Sequence, residues 1–270
     1  MERPGWAPRG IDLTVPSVSR MYDYYLGGSH NFEADRVAAR KAIAAFPGLP
    51  KIMQANRAFM RRAVRYAVAE GVTQFLDIGS GIPTFGNVHE VAHAADPGAR
   101  VLYVDNDPVA VAHSRAVLAG DARVGVAAAD FRDPDAVLAH AEADGLLDPR
   151  RPVALLLVAL LHFLPDEDRP WEHVARYRDA LAPGSLLVLT HATTEAGLAT
   201  HEQGAELSEV YRRGGSTLVM RGLTATARFF DGFTLVEPGL VPLPEWRPDG
   251  PADEEDAVVS AGFAGVGRRA

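Results

Sequence analysis

The sequence predicts a doubly wound α/β fold, a mostly parallel seven-stranded sheet with helices on both faces and an N-terminal helical cap. Three observations carry this. From residue 72 onward, apolar runs of strand length alternate with helix-length segments, the pattern that builds a parallel sheet. Val153 to Leu161 is apolar throughout, as a strand buried on both faces requires. Phe75-Leu76-Asp77-Ile78 runs into Gly79-Ser80-Gly81, a strand ending in a tight turn where a ligand can lie against bare backbone.

Taken in order, residues 1–16 carry Pro4, Pro8 and Pro16 and read as an irregular arm. A first helix starts at Ser17 and is interrupted by Gly27-Gly28; a second covers Phe32 to Phe46 and stops at Pro47-Gly48. A third covers Lys51 to Glu70, where Ile52, Ala55, Phe59, Ala63, Tyr66 and Ala67 step by three and four and mark one buried face. Strands are expected at 73–78, 100–104, 124–128, 153–159 and 185–191, with helices near 86–95, 107–118, 134–143 and 167–181. Residues 195–231 read as two helices around Gly214-Gly215, and two closing strands are expected at 233–241 and 257–267. With no linker or repeat in view, residues 1–70 are read as arm and cap of the same domain as residues 71–270.

Three strands end in an acid. Asp77 precedes the glycine turn, Asp105 closes Val101-Leu102-Tyr103-Val104, and Asp130 follows Val124 to Ala129. At the second strand end a carboxylate can accept hydrogen bonds from both hydroxyls of a ribose. A dinucleotide site would carry a third glycine where Thr84 stands, after Pro83, and would present a helix N-terminus to a pyrophosphate. Asp77 places negative charge at that mouth, which suits a cationic or amine-bearing ligand. S-adenosyl-L-methionine has a ribose, an adenine, an amino acid and a sulfonium and no phosphate, and it fits the three acids better than NAD. The predicted cofactor set is Asp77, Gly79, Ser80, Gly81, Asp105, Asn106, Asp130 and Phe131, with Asp130 and the Phe131 amide at the adenine edge.

The acid triple resembles the Rossmann-like methyltransferases. Met21-Tyr22-Asp23-Tyr24-Tyr25-Leu26-Gly27-Gly28 with Asn31-Phe32, Ala55-Asn56-Arg57-Ala58-Phe59, Gln74 to Thr84, and Pro238-Gly239-Leu240-Val241 before Trp246-Arg247-Pro248 resemble more narrowly an S-adenosyl methyltransferase family. That family is found mainly in actinobacteria and was once catalogued as a domain of unknown function. The resemblance runs over almost the whole chain and implies a class I fold with an antiparallel last strand. It does not supply a methyl acceptor.

Composition bounds the rest. The 270 residues are 47% hydrophobic and carry a net charge of −8, so non-specific nucleic-acid binding is not expected. There is no cysteine, hence no disulfide framework or thiolate metal site, and no metal site is expected. The longest apolar run is too short to cross a bilayer and residues 1–20 show no signal design; a cytoplasmic protein is expected.

Two histidines follow strands, His162 after 153–159 and His191 after Leu186 to Thr190. Each is a candidate general base, catalytic in that sense, or else a structural strand cap. Tyr22, Tyr24 and Tyr25 with Gly27-Gly28 read as a lid over the cofactor, with Tyr22 or Tyr25 facing it, or as plain aromatic packing. Arg57 can pair with the methionine carboxylate or stand on the surface. The reading is a SAM-dependent methyltransferase acting on a small molecule. A non-catalytic SAM-binding sensor or scaffold is the alternative, and an NAD-dependent oxidoreductase a more distant one.

Overall fold

The structure is a computed structural model and describes residues 7–8, 11–84, 86–143, 145–197, 199–250 and 260–270. Its helices are α1 (Val18–Tyr25), α2 (Glu33–Ala45), α3 (Leu49–Ala69), α4 (Val88–Ala95), α5 (Pro108–Val117), α6 (Pro134–Ala143), α7 (Pro170–Ala180), α8 (His201–Arg213) and α9 (Leu223–Ala227). The strands are β1 (Gln74–Ile78), β2 (Arg100–Asp105), β3 (Val124–Ala128), β4 (Ala154–Leu157), β5 (Leu186–Ala192), β6 (Phe233–Leu235), β7 (Val241–Pro242) and β8 (Gly262–Arg269).

They form one sheet in the order β3-β2-β1-β4-β5-β8-β6, with β7 also paired to β8. β1 to β5 run parallel, and β8 runs antiparallel to β5, β6 and β7. The chain reverses direction in strand order at β1, between β2 and β4. In sheets of this kind ligands bind outside the carboxyl ends of the strands at that switch point.

Alternation along the central strands sorts the core. Phe75, Val101, Tyr103, Ala154, Leu156 and Val188 face the N-terminal helices. Leu76, Leu102, Val104, Leu155, Leu157, Leu187 and Leu189 face the other way, onto Val137, Val174, Tyr177 and Phe229. Both faces are thus covered, which is why these strands read as continuous apolar runs.

Three boundaries differ from the sequence expectation. The run at 233–241 divides into β6 and β7, because Pro238 has no N–H for a ladder and Gly239 turns the chain at φ +97°. Among the described residues the sheet therefore has eight strands rather than seven. β4 stops at Leu157, since Ala159 adopts φ +56° and cannot continue a strand. The closing strand occupies Gly262–Arg269; the earlier part of its expected range, 257–259, lies outside the described residues.

The cap is fastened by a buried ionic cluster. Asp35, fully buried, accepts from Arg20 Nε at 2.9 and 3.0 Å, from the Ser17 amide at 2.8 Å and from the Phe32 amide at 2.7 Å. Arg20 also reaches Asp107 at 3.4 Å, and Ser17 Oγ donates to the same carboxylate. Asp107 caps α5, accepting from the Val109 amide. The first helix is thereby tied to the loop that follows β2. Gly28 has no room for a side chain, since a Cβ would stand 2.0 Å from an Asp23 carboxylate oxygen.

Candidate cofactor and acceptor site

Two adjoining cavities lie where the cap meets the carboxyl ends of the strands. The first is lined by Ser19, Arg57, Met60, Asp77, Gly79, Ser80, Gly81 and Val158, with Val18, Tyr22, Asn56 and Ala159. Those last four also line the second cavity, which extends over β4 and β5 to His162, Phe163, His191, Leu207, Tyr211 and Leu218.

The glycine turn is held by β2. Gly79 and Ser80 donate their amides to Val104 O at 2.8 and 3.2 Å, and Gly81 donates to Asp105 Oδ2 at 2.7 Å. Gly79 and Gly81 sit at φ +72° and +67°, a region that costs a residue with a Cβ. Gly79 is also confined: a Cβ there would meet Leu160 Cδ1 at 2.8 Å.

Burial dominates the acids. It pushes Asp77 up to about 7, with the Arg57 guanidinium opposing and Asp105 adding to the rise. Burial likewise pushes Asp105 up to about 6, against the stabilising amides of Asp107 and Gly81. Asp130 behaves differently. Its carboxylate takes Arg132 Nε and Nη2 at 3.0 and 2.7 Å and Asn106 Nδ2 at 3.0 Å, which hold it down at about 2. Phe131 turns its ring into the core beside Tyr177, whose hydroxyl donates to Phe131 O at 3.0 Å.

Of the sequence-predicted residues, the structure brings Tyr22, Arg57, Asp77, Gly79, Ser80 and Gly81 to one cavity. Asp105 accepts the Gly81 amide and Asn106 Nδ2 donates to Asp130, but Asp105, Asn106, Asp130 and Phe131 are not among the residues lining that cavity. His162 and His191 line the second cavity, their ring centroids 5.7 Å apart. Tyr25 instead bonds Tyr211 Oη at 3.1 Å. Arg57 Nη2 donates to Asn87 Oδ1 at 3.0 Å and, more loosely, to Thr84 Oγ1 and Gly86 O.

Sequence reasoning missed Thr190 and Arg221. Thr190 Oγ1 accepts the Ala159 amide at 2.8 Å and donates to Asn56 Oδ1 at 2.7 Å; Asn56 Nδ2 donates to Tyr22 Oη at 2.9 Å. Arg221, 5% exposed, donates to His191 Nε2 at 3.0 Å, Leu161 O at 3.1 Å, Leu164 O at 2.8 Å and Asp166 Oδ1 at 2.6 Å. Its guanidinium lies 4.9 Å from the Trp171 ring centroid. A lone arginine in a loop carries no sequence pattern that would have revealed this. Thr190 could have been found as the neighbour of His191 at a strand end.

Fold and site together define a class I α/β protein built to hold a nucleoside-bearing cation. Bare turn backbone at Gly79 and Gly81 and a buried acid at Asp77 fit S-adenosyl-L-methionine. The model of the S-adenosyl methyltransferase family matches residues 4–270, and the chain belongs to that family. It is an S-adenosyl-L-methionine-dependent methyltransferase. A candidate methyltransferase from Thermobifida fusca YX is similar at 41% identity, covering 98% of this chain and 99% of its own, with a TM-score of 0.91. A DUF574-family protein from Streptomyces avermitilis MA-4680 is similar at 36% identity, covering 96% and 99%, with a TM-score of 0.88. A comparison with curated proteins finds no match. Among the described residues no helix is long and apolar enough to cross a membrane.

Proposed function

We propose that the two cavities divide the reaction, cofactor in the first and a small-molecule acceptor in the second. The observation that carries this is their shared wall of Val18, Tyr22, Asn56 and Ala159, which sets donor and acceptor side by side. S-adenosyl-L-methionine supplies an electrophilic methyl group when bound. The chain's own part is alignment and exclusion of water.

In this reading Asp77 faces the cofactor's ammonium, and the amides of Gly79, Ser80 and Gly81 follow its methionine end. Arg57 faces its carboxylate and Asp105 the ribose hydroxyls, with Asn106, Asp130 and the Phe131 amide toward the adenine. Tyr22 belongs to the lid formed by residues 17–35. Of the catalytic candidates His162 and His191, His162 is the one able to touch an acceptor, as a hydrogen-bond donor rather than a base. Both nitrogens of His191 have protein partners, Arg221 at Nε2 and Ala192 O at 2.8 Å from Nδ1. The net charge of −8 supports a non-nucleic-acid acceptor, and a cytoplasmic setting belongs to the same reading. The source organisms of the two similar structures support an actinobacterial lineage.

Calorimetry with S-adenosylmethionine, S-adenosylhomocysteine and NAD tests the cofactor assignment, and tighter binding of NAD would sink it. Release of S-adenosylhomocysteine driven by the low-molecular-mass fraction of a cell extract, and not by its macromolecules, is expected for the acceptor. The reverse partition would overturn the small-molecule reading.

A further inference from the structure

We propose that the methyl acceptor is a neutral, largely apolar molecule that presents a hydrogen-bond-accepting atom to Nε2 of His162. This deepens the functional reading above and rests on it. The second cavity opens to solvent at its mouth. Among the described residues, none of those lining it is Asp, Glu, Lys or Arg. Phe46, Leu49, Ile52, Met53, Leu207 and Leu218 are among its apolar lining residues. A charged acceptor would meet no counter-charge from the wall itself, and an ion left unpaired by its surroundings is strongly disfavoured.

The polar groups of the wall are mostly committed inside the protein. Thr190 and Asn56 bond each other, Asn56 also bonds Tyr22, and Tyr211 bonds Tyr25. His191 is held between Arg221 and Ala192 O. His162 is the exception. Its Nδ1 accepts the Ala192 amide at 3.3 Å, which places the ring proton on Nε2, and among the described residues Nε2 has no hydrogen-bond partner. Burial, with His191 and Arg221 close by, lowers the basicity of His162 and keeps the ring neutral. A neutral imidazole in this tautomer offers a donor at Nε2 and no lone pair there. The complementary acceptor atom is a carbonyl or ether oxygen or an aromatic nitrogen.

The test is binding to the protein saturated with S-adenosylhomocysteine, using acetylnaphthalene, ethylnaphthalene and naphthoate as matched probes. Acetylnaphthalene should bind tightest, and naphthoate at least about ten-fold more weakly, a gap of some 1.4 kcal/mol. His162→Gln keeps an N–H donor and should retain the preference for acetylnaphthalene over ethylnaphthalene, whereas His162→Leu should abolish it. Naphthoate binding as tightly as acetylnaphthalene, or no probe binding at all, overturns the proposal. So does a preference that survives in His162→Leu. If that variant does not fold, the wild-type ranking still decides. Failure of S-adenosylhomocysteine itself to bind would count against the functional reading instead, and is measured first.

Discussion

Thr190 Oγ1 donates to Asn56 Oδ1 at 2.7 Å, joining the end of β5 to the middle of α3 across 134 positions of sequence. Through Asn56 Nδ2 the link continues to Tyr22 on α1, and through the Ala159 amide it returns to the loop after β4. One chain of hydrogen bonds therefore crosses from sheet to cap along the wall between the two cavities.

Breaking that chain should loosen the cap. Asn56→Leu removes one partner each from the hydroxyls of Thr190 and Tyr22 and should cost about 1–3 kcal/mol in urea unfolding. Hydrogen exchange in residues 17–35 should rise in the variant and fall in the wild type when S-adenosylhomocysteine binds. Exchange unaffected by either change would reduce the segment to a packing helix.

Asp77 should make cofactor binding pH-dependent if it faces the cofactor as proposed. Its carboxyl is raised from 3.8 to about 7 in the folded protein, so the fold binds that proton more tightly than the unfolded chain. The stability this contributes is complete below the unfolded value and is lost as pH rises through about 7. A cationic ligand favours the carboxylate, so affinity for S-adenosylmethionine should rise between about pH 6 and pH 8, with proton release. Calorimetry in buffers of different ionisation enthalpy detects the released proton. Asp77→Asn should abolish it, and release persisting in that variant would assign the effect elsewhere.

Asp105 sits under the turn and next to the proposed ribose position. Asp105→Ala should weaken S-adenosylhomocysteine by about 1.5–3 kcal/mol, the usual worth of hydrogen bonds to a charged group. Unchanged affinity with an intact circular dichroism spectrum would confine Asp105 to bracing Gly81 and Asp107, whose amides it accepts at 2.7 and 2.8 Å.

The two turn glycines should not be equivalent. Gly81→Ala meets no atom within 4 Å and should cost only the left-handed backbone penalty, about 1–2 kcal/mol. Gly79→Ala adds a 2.8 Å approach to Leu160 Cδ1, and should lower Tm further. Equal shifts in a thermal melt would show that Leu160 gives way freely.

Most of the sheet was legible because strand burial writes itself into composition. Leu155, Leu156 and Leu157 alternate between two cores, and the sequence shows only that all three are apolar. The glycine turn and Asp77 were legible because few residues tolerate that backbone and that position. The break within 233–241 was foreshadowed by Pro238-Gly239, but the apolar flanks outweighed it.

By itself the sequence determined the alternating architecture, the glycine turn after β1 and the acids at or near three strand ends, since each rests on local backbone sterics and short-range periodicity. Only the tertiary structure decided which groups share a wall. Asn56 meets Thr190, Arg221 meets His191, and Arg20 meets Asp35 and Asp107. Those partners are far apart in the chain, and side-chain hydrogen bonding across such separations leaves no periodic trace. The neutral state of the paired histidines belongs to the same class, because it arises from burial and from neighbours that only packing supplies.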